Sequence, residues 1–163
     1  DKGWIALTNS YFLEKNYPKA LYYINKALSI DESNTLYWRR YAEINLKLDF
    51  FEEVAKAFYN CIKYGDSNLD IFIGLADVLN FIGEFQEAAD VLITAKKLHP
   101  NNAEIIYRLS CIYYILGEDE KAEKSLRKGL KIDFEYKEII KELFPAVFEL
   151  HAVAAIVSEY NNA

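Results

Sequence analysis

The chain has 163 residues, 52% of them hydrophobic and 15% aromatic, with 25 acidic against 19 basic side chains and a net charge of −6. That balance, with Lys and Arg dispersed and adjacent only in pairs such as Arg39–Arg40, excludes the concentrated basic face that phosphate backbones require, so no nucleic-acid partner is expected. No apolar run approaches the 18 residues of a membrane span, and no signal peptide is legible, so no membrane partner is expected.

In chain order, residues 1–34, 35–68, 69–102 and 103–136 stack in one register without a gap. Position 4 of each period reads Trp4, Trp38, Phe72 and Ile106, and position 7 reads Leu7, Tyr41, Leu75 and Leu109. Position 8 is small throughout (Thr8, Ala42, Ala76, Ser110), as are position 20 (Ala20, Val54, Ala88, Ala122) and position 27 (Ala27, Cys61, Ala95, Gly129). Position 24 is large: Ile24, Phe58, Leu92, Leu126. A fixed period of this length is the mark of stacked supersecondary units.

Each period reads as two amphipathic helices. In the third, Phe72, Leu75, Ala76 and Leu79 form one stripe at i, i+3, i+4 and i+7. Gly83 then suits a left-handed helix end, and Phe85, Ala88, Leu92 and Ala95 form the second stripe. Helices are expected near 2–14, 18–30, 34–48, 52–64, 68–82, 86–98, 102–116 and 119–132. Lys15 and Asp49 stand where Gly83 and Gly117 make the later turns, so Asn16 and Asp49 are the candidates for the turn conformation. Ser33–Asn34, Ser67–Asn68 and Asn101–Asn102 each precede a helix and can accept its orphan amide hydrogens. After residue 136 the register is lost. KEIIKELF (137–144) and HAVAAIVSEY (151–160), separated by Pro145, read as a helical cap over the fourth period, with a partner-binding or dimerising tail as the other reading. The absence of a methionine at residue 1 suggests a piece of a longer protein.

GEFQEAADVLITAKKLHPNN (83–102) and NYPKALYYINKALSIDESN (16–34) resemble the second helix and linker of the tetratricopeptide repeat family, and the resemblance extends over residues 1–136. It implies an all-α fold, a right-handed superhelix of antiparallel helix pairs, with four repeats (1–34, 35–68, 69–102, 103–136) and a cap at 137–163. It also implies a non-catalytic interaction scaffold, with a peptide or protein partner held in a concave groove lined by the first helix of each unit. Carried onto this chain, the groove residues are Asn9 and Phe12, then Arg39, Arg40 and Glu43, then Gly74, Asp77 and Phe81, then Tyr107, Arg108 and Tyr114. Around them Ile5, Leu13, Leu36, Leu46, Ile73 and Ile115 add apolar area, and Cys111 lies on the same face. Position 6 reads Ala6, Arg40, Gly74, Arg108, a hollow flanked by guanidinium groups able to clamp a carboxylate. Equally, those arginines could pair with Glu43, Asp77 or Glu104. The carboxylate clamp of tetratricopeptide co-chaperones is missing, because only Asn9 of the set starting in the first unit matches.

No catalytic, cofactor or metal site is legible. The two histidines, His99 and His151, suit turn, cap or surface roles. Cys61 and Cys111 are a whole repeat apart and are expected to be free thiols, in keeping with a cytoplasmic location. Homo-oligomerisation through terminal faces or the C-terminal helices, with a homodimer as its product, is the alternative function.

Overall fold

In the computed structural model, residues 2–161 are described and form eleven α-helices and one 3-10 turn; no strand occurs among them. The chain is all-α, built of helices in tandem pairs. It divides into two compact units, residues 1–82 and 83–163, and the division falls within the third 34-residue period.

The first unit holds α1 (Lys2–Leu13), α2 (Tyr17–Ile30), α3 (Thr35–Lys47), α4 (Phe51–Lys63) and α5 (Leu69–Ile82). Each packs on the next in sequence. The second holds α6 (Phe85–Leu98), α7 (Ala103–Ile115), α8 (Asp119–Ile132), the 3-10 turn Glu135–Lys137, α9 (Glu138–Leu143), α10 (Pro145–Phe148) and α11 (His151–Asn161).

The period-34 pattern becomes packing. Ala20, Val54, Ala88 and Ala122 are wholly buried, as are Ala27, Cys61, Ala95 and Gly129 of the second small-residue row. A small side chain at these positions lets neighbouring helix axes approach, and the larger residues fill the remaining volume. At Gly129 the approach is tight: a Cβ there would lie 3.2 Å from the Tyr107 ring. Ser110 Oγ crosses the α7–α8 seam to donate to the Ala122 carbonyl at 2.9 Å. Some positions depart from the pattern. Leu7 is exposed on α1, which packs chiefly on α2, and Trp4, Trp38 and Phe58 are only half-buried, the Phe58 ring directed at Gly74.

Turn chemistry explains the helix ends. Lys15 (φ 59°) and Asp49 (φ 58°) are left-handed, as are Gly65, Gly83 and Gly117. Lys15 itself takes the turn conformation, not Asn16, whose φ is −87°. The reason lies in the hydrogen bonds: Asn16 N donates to Tyr11 O at 2.8 Å and Lys15 N to Phe12 O at 3.0 Å, the paired closure that puts the left-handed residue at position 15. Asn16 instead caps α2, its Oδ1 accepting from Lys19 N. Asn34 caps α3 through Leu36 N and Tyr37 N, and Asn102 caps α7 through Ile105 N. Asn68 does not copy them. Its side-chain amide donates to Asp66 Oδ1 at 2.8 Å, and its backbone N–H donates to the same oxygen at 3.1 Å.

Candidate functional site

In the first unit, the first helices of successive pairs touch through side chains. The Arg40 guanidinium on α3 lies 5.0 Å from the centre of the Phe12 ring on α1. Arg39 of α3 reaches Asp70 at the start of α5, Nη1 donating to Oδ2 at 2.7 Å. The same guanidinium makes a two-point contact with Asp66 in the α4–α5 connection, at 2.7 Å and 3.0 Å. Beside it opens a cleft of about 660 Å³, walled by Leu36 and Arg39 on one side and by Tyr64–Asp70 on the other.

Arg39 is therefore a brace within this face, with its donors already committed. Its guanidinium pKa is pushed up by the hydrogen bonds to Asp66 and then Asp70. The Asp66 side chain is 5% exposed, and the bond from Arg39 holds its carboxyl below the ordinary 3.8. A carboxyl lowered on folding contributes stability that is complete above 3.8 and is lost as pH falls below 3.8 toward the folded-state value. Asp66→Asn should lower stability by about 1.5–3 kcal/mol at neutral pH and flatten the acid limb of the stability curve. Chemical denaturation between pH 7 and pH 3 measures both, and an unchanged acid limb would show that Asp66 carries no such linkage.

The remaining sequence-expected residues of this unit divide into framework and exposed face. Asn9 is half-buried, with an Oδ1 that has no hydrogen-bond partner among the described residues. Phe12 packs edge-on against Tyr17 and beneath Arg40. Arg40 pairs with exposed Glu43. The hollow expected at Gly74 is filled: a Cβ there would sit 3.0 Å from Phe58, so the glycine accommodates that ring. Asp77 is half-buried. Phe81 is 68% exposed, its ring 4.4 Å from that of Phe51. Leu13 and Leu36 are 82% and 71% exposed.

The second unit corrects the expectation of an open face at Tyr107 and Arg108. Tyr107 is fully buried: its hydroxyl donates to the Asp133 carbonyl at 2.8 Å, and its ring meets Tyr136. Arg108 is 6% exposed, donating to the Glu104 carbonyl at 3.2 Å and lying 3.4 Å from the Tyr136 hydroxyl. Cys111 is buried too, with its thiol pKa pushed up by burial. The physical reason is the segment after α8, because the 3-10 turn, α9 and α10 all pack on α7. Tyr114 is half-buried at a cavity of about 300 Å³ shared with Leu150 and His151, and burial raises its hydroxyl pKa. Sequence reasoning missed Asp66 and Tyr136 as partners of the arginines. The signal for Asp66 was an acid where the third repeat carries Pro100; Tyr136 carried none.

The tetratricopeptide repeat family profile matches residues 103–136, the fourth period, which is α7, α8 and the 3-10 turn entered after them. This is a tetratricopeptide repeat fold. Solved structures of the same tetratricopeptide architecture include a MamA crystal structure, with TM-score 0.74 and 17% identity over 96% of this chain and 91% of that one. A second MamA structure superposes with TM-score 0.75 and 16% identity over 99% of this chain and 86% of that one. YrrB, described as a TPR protein with an unusual peptide-binding site, superposes with TM-score 0.73 and 16% identity over 98% of this chain and 84% of that one. No curated protein matches the chain in sequence. Among the described residues, no cluster of three His, Cys, Asp or Glu could hold a metal, and no helix is long and apolar enough to cross a membrane. Cys61 and Cys111 are free and buried.

Proposed function

We propose that this tetratricopeptide chain is a non-catalytic, cytoplasmic interaction scaffold that holds a peptide or protein partner against the first-helix faces of its repeats. Four repeats over residues 1–136 and a C-terminal cap over 137–163 are the organisation that goes with this reading. One observation carries it: in the first unit Leu13, Leu36 and Phe81 remain 82%, 71% and 68% exposed on α1, α3 and α5. Large apolar side chains left this open lose about 25 cal/mol of stabilisation for every Å² not removed from water, which a partner recovers on docking. Arg40 and Glu43 sit among them as polar contacts able to fix register. YrrB, with its peptide-binding site, supplies a precedent on the same architecture.

The test is peptide selection against the intact chain, followed by Leu36→Glu/Phe81→Glu. Selected peptides should lose at least about tenfold in affinity, roughly 1.4 kcal/mol, while the thermal midpoint stays put. Peptides bound equally by the variant would remove these faces from consideration.

A second reading, self-association through the C-terminal helices, is favoured by Leu143, Phe148 and Leu150, which are 37%, 40% and 40% exposed. A concentration-independent dimer mass in light scattering, abolished by Phe148→Glu, would support it over the first.

A further inference from the structure

The sequence is acidic, yet α8 carries Lys124 and Lys128 one turn apart on one face, and α6 brings Lys96 to the same place. Together they rim a pocket of about 270 Å³ on the second unit. Its floor is apolar: Ile106 and Leu109 are each 1% exposed, and Tyr113 is half-buried beside them. A fourth lysine at the rim, Lys121, is already committed to Glu118 and lies 5.5 Å from the Tyr113 ring centre. The other three form no ion pair among the described residues; Lys128 is steadied by donating to the Pro100 carbonyl at 3.0 Å. Of the neighbouring acids, Glu118 is paired with Lys121, while Asp90, which accepts from Gln86, keeps its charge but forms no ion pair with the three lysines among the described residues. Lys96 accordingly has its ammonium pKa pushed down, by burial first and then by Lys128 and Lys124.

Three unpaired ammonium groups above an apolar floor define a ligand. The charge calls for a multivalent anion, and a dianionic phosphoryl group presents three acceptor oxygens, one for each lysine. The floor calls for an apolar body attached to it, and the volume admits about one aromatic side chain. We propose that this pocket binds a phosphate monoester carried on an apolar or aromatic stem. It is formed by α6, α7 and α8 alone and does not rest on the reading of the α1, α3 and α5 faces.

The probe is O-phospho-L-tyrosine, titrated into the intact chain with amide and side-chain NMR shifts as readout. Shifts should cluster at Lys96, Tyr113, Lys124 and Lys128, and affinity should exceed that for inorganic phosphate or L-tyrosine by about tenfold. Lys96→Gln/Lys128→Gln should weaken binding about tenfold or more, whereas Lys97→Gln/Lys131→Gln, which removes the same net charge outside the pocket, should stay within about twofold. Equal binding by the two double variants, or equal response to inorganic phosphate or to tyrosine, would overturn the proposal. A phosphotyrosyl peptide binding more tightly than the free amino acid assigns the ligand to proteins. Free phosphotyrosine binding as well as the peptide assigns it to small phosphate esters, and both results support the pocket.

Discussion

Tyr107→Ala should destabilise the second unit by about 3–5 kcal/mol, the range for deleting a large buried ring that its surroundings cannot collapse to replace. The ring is fully buried between α7, the Gly129 backbone of α8 and Tyr136 of the 3-10 turn. Gly129 is packed 3.2 Å from it at the position of a notional Cβ, so the surrounding helix was set at a spacing that only this ring fills. The hydroxyl bond to Asp133 can be separated from the ring. Tyr107→Phe keeps the volume and removes only that bond, and should cost about 0.5–1.5 kcal/mol. Hydrogen exchange of α7 and α8 amides gives the local measure and denaturant unfolding the global one. A loss below about 1 kcal/mol for Tyr107→Ala would mean the turn after α8 does not depend on the ring.

Ala122→Arg should be more severe and should unfold the second unit at ambient temperature. The Ala122 side chain is wholly buried, and its carbonyl receives the Ser110 hydroxyl across the α7–α8 seam. An arginine there has neither volume for its stem nor a counter-ion for its charge. Either helices separate, losing the packing around Leu109 and Leu126, or a guanidinium is desolvated at a cost of several kcal/mol. Against a typical domain stability of about 5–15 kcal/mol, that is a large share. Loss of far-UV helix signal and rapid proteolysis within residues 83–161 are the expected results. Ala155→Arg, on the exposed side of α11, should change the thermal midpoint little. A folded Ala122→Arg protein with an unaltered midpoint would refute the close helix approach at this row.

The face that reads most plainly as a ligand surface from sequence is the one that the structure splits. Asn9, Phe12, Arg39, Arg40, Glu43, Gly74, Asp77 and Phe81 all lie in the first unit, where Phe81 and Glu43 are exposed and Gly74 takes up the Phe58 ring. Arg39 was legible as a cation but not as one engaged by two carboxylates, because Asp66 and Asp70 lie 27 and 31 residues away. Tyr107, Arg108 and Cys111 occupy equivalent positions in the fourth period, yet they are buried, because α9, α10 and the 3-10 turn pack on α7. A register shared by four periods carries no information about a segment that follows the last of them.

Local periodicity alone determined the helices, the small-residue seams at Ala20, Val54, Ala88 and Ala122, and the asparagine caps at Asn34 and Asn102. Each rests on interactions within one helix or on the size of one side chain, which is written residue by residue. Tertiary structure alone decided which cations stay unpaired. It turned Arg39 into a brace, covered Arg108, and gathered Lys96, Lys124 and Lys128 from α6 and α8 around one apolar floor. The strength of a charge interaction depends on distance and solvent in the folded state, and neither is encoded at any single position.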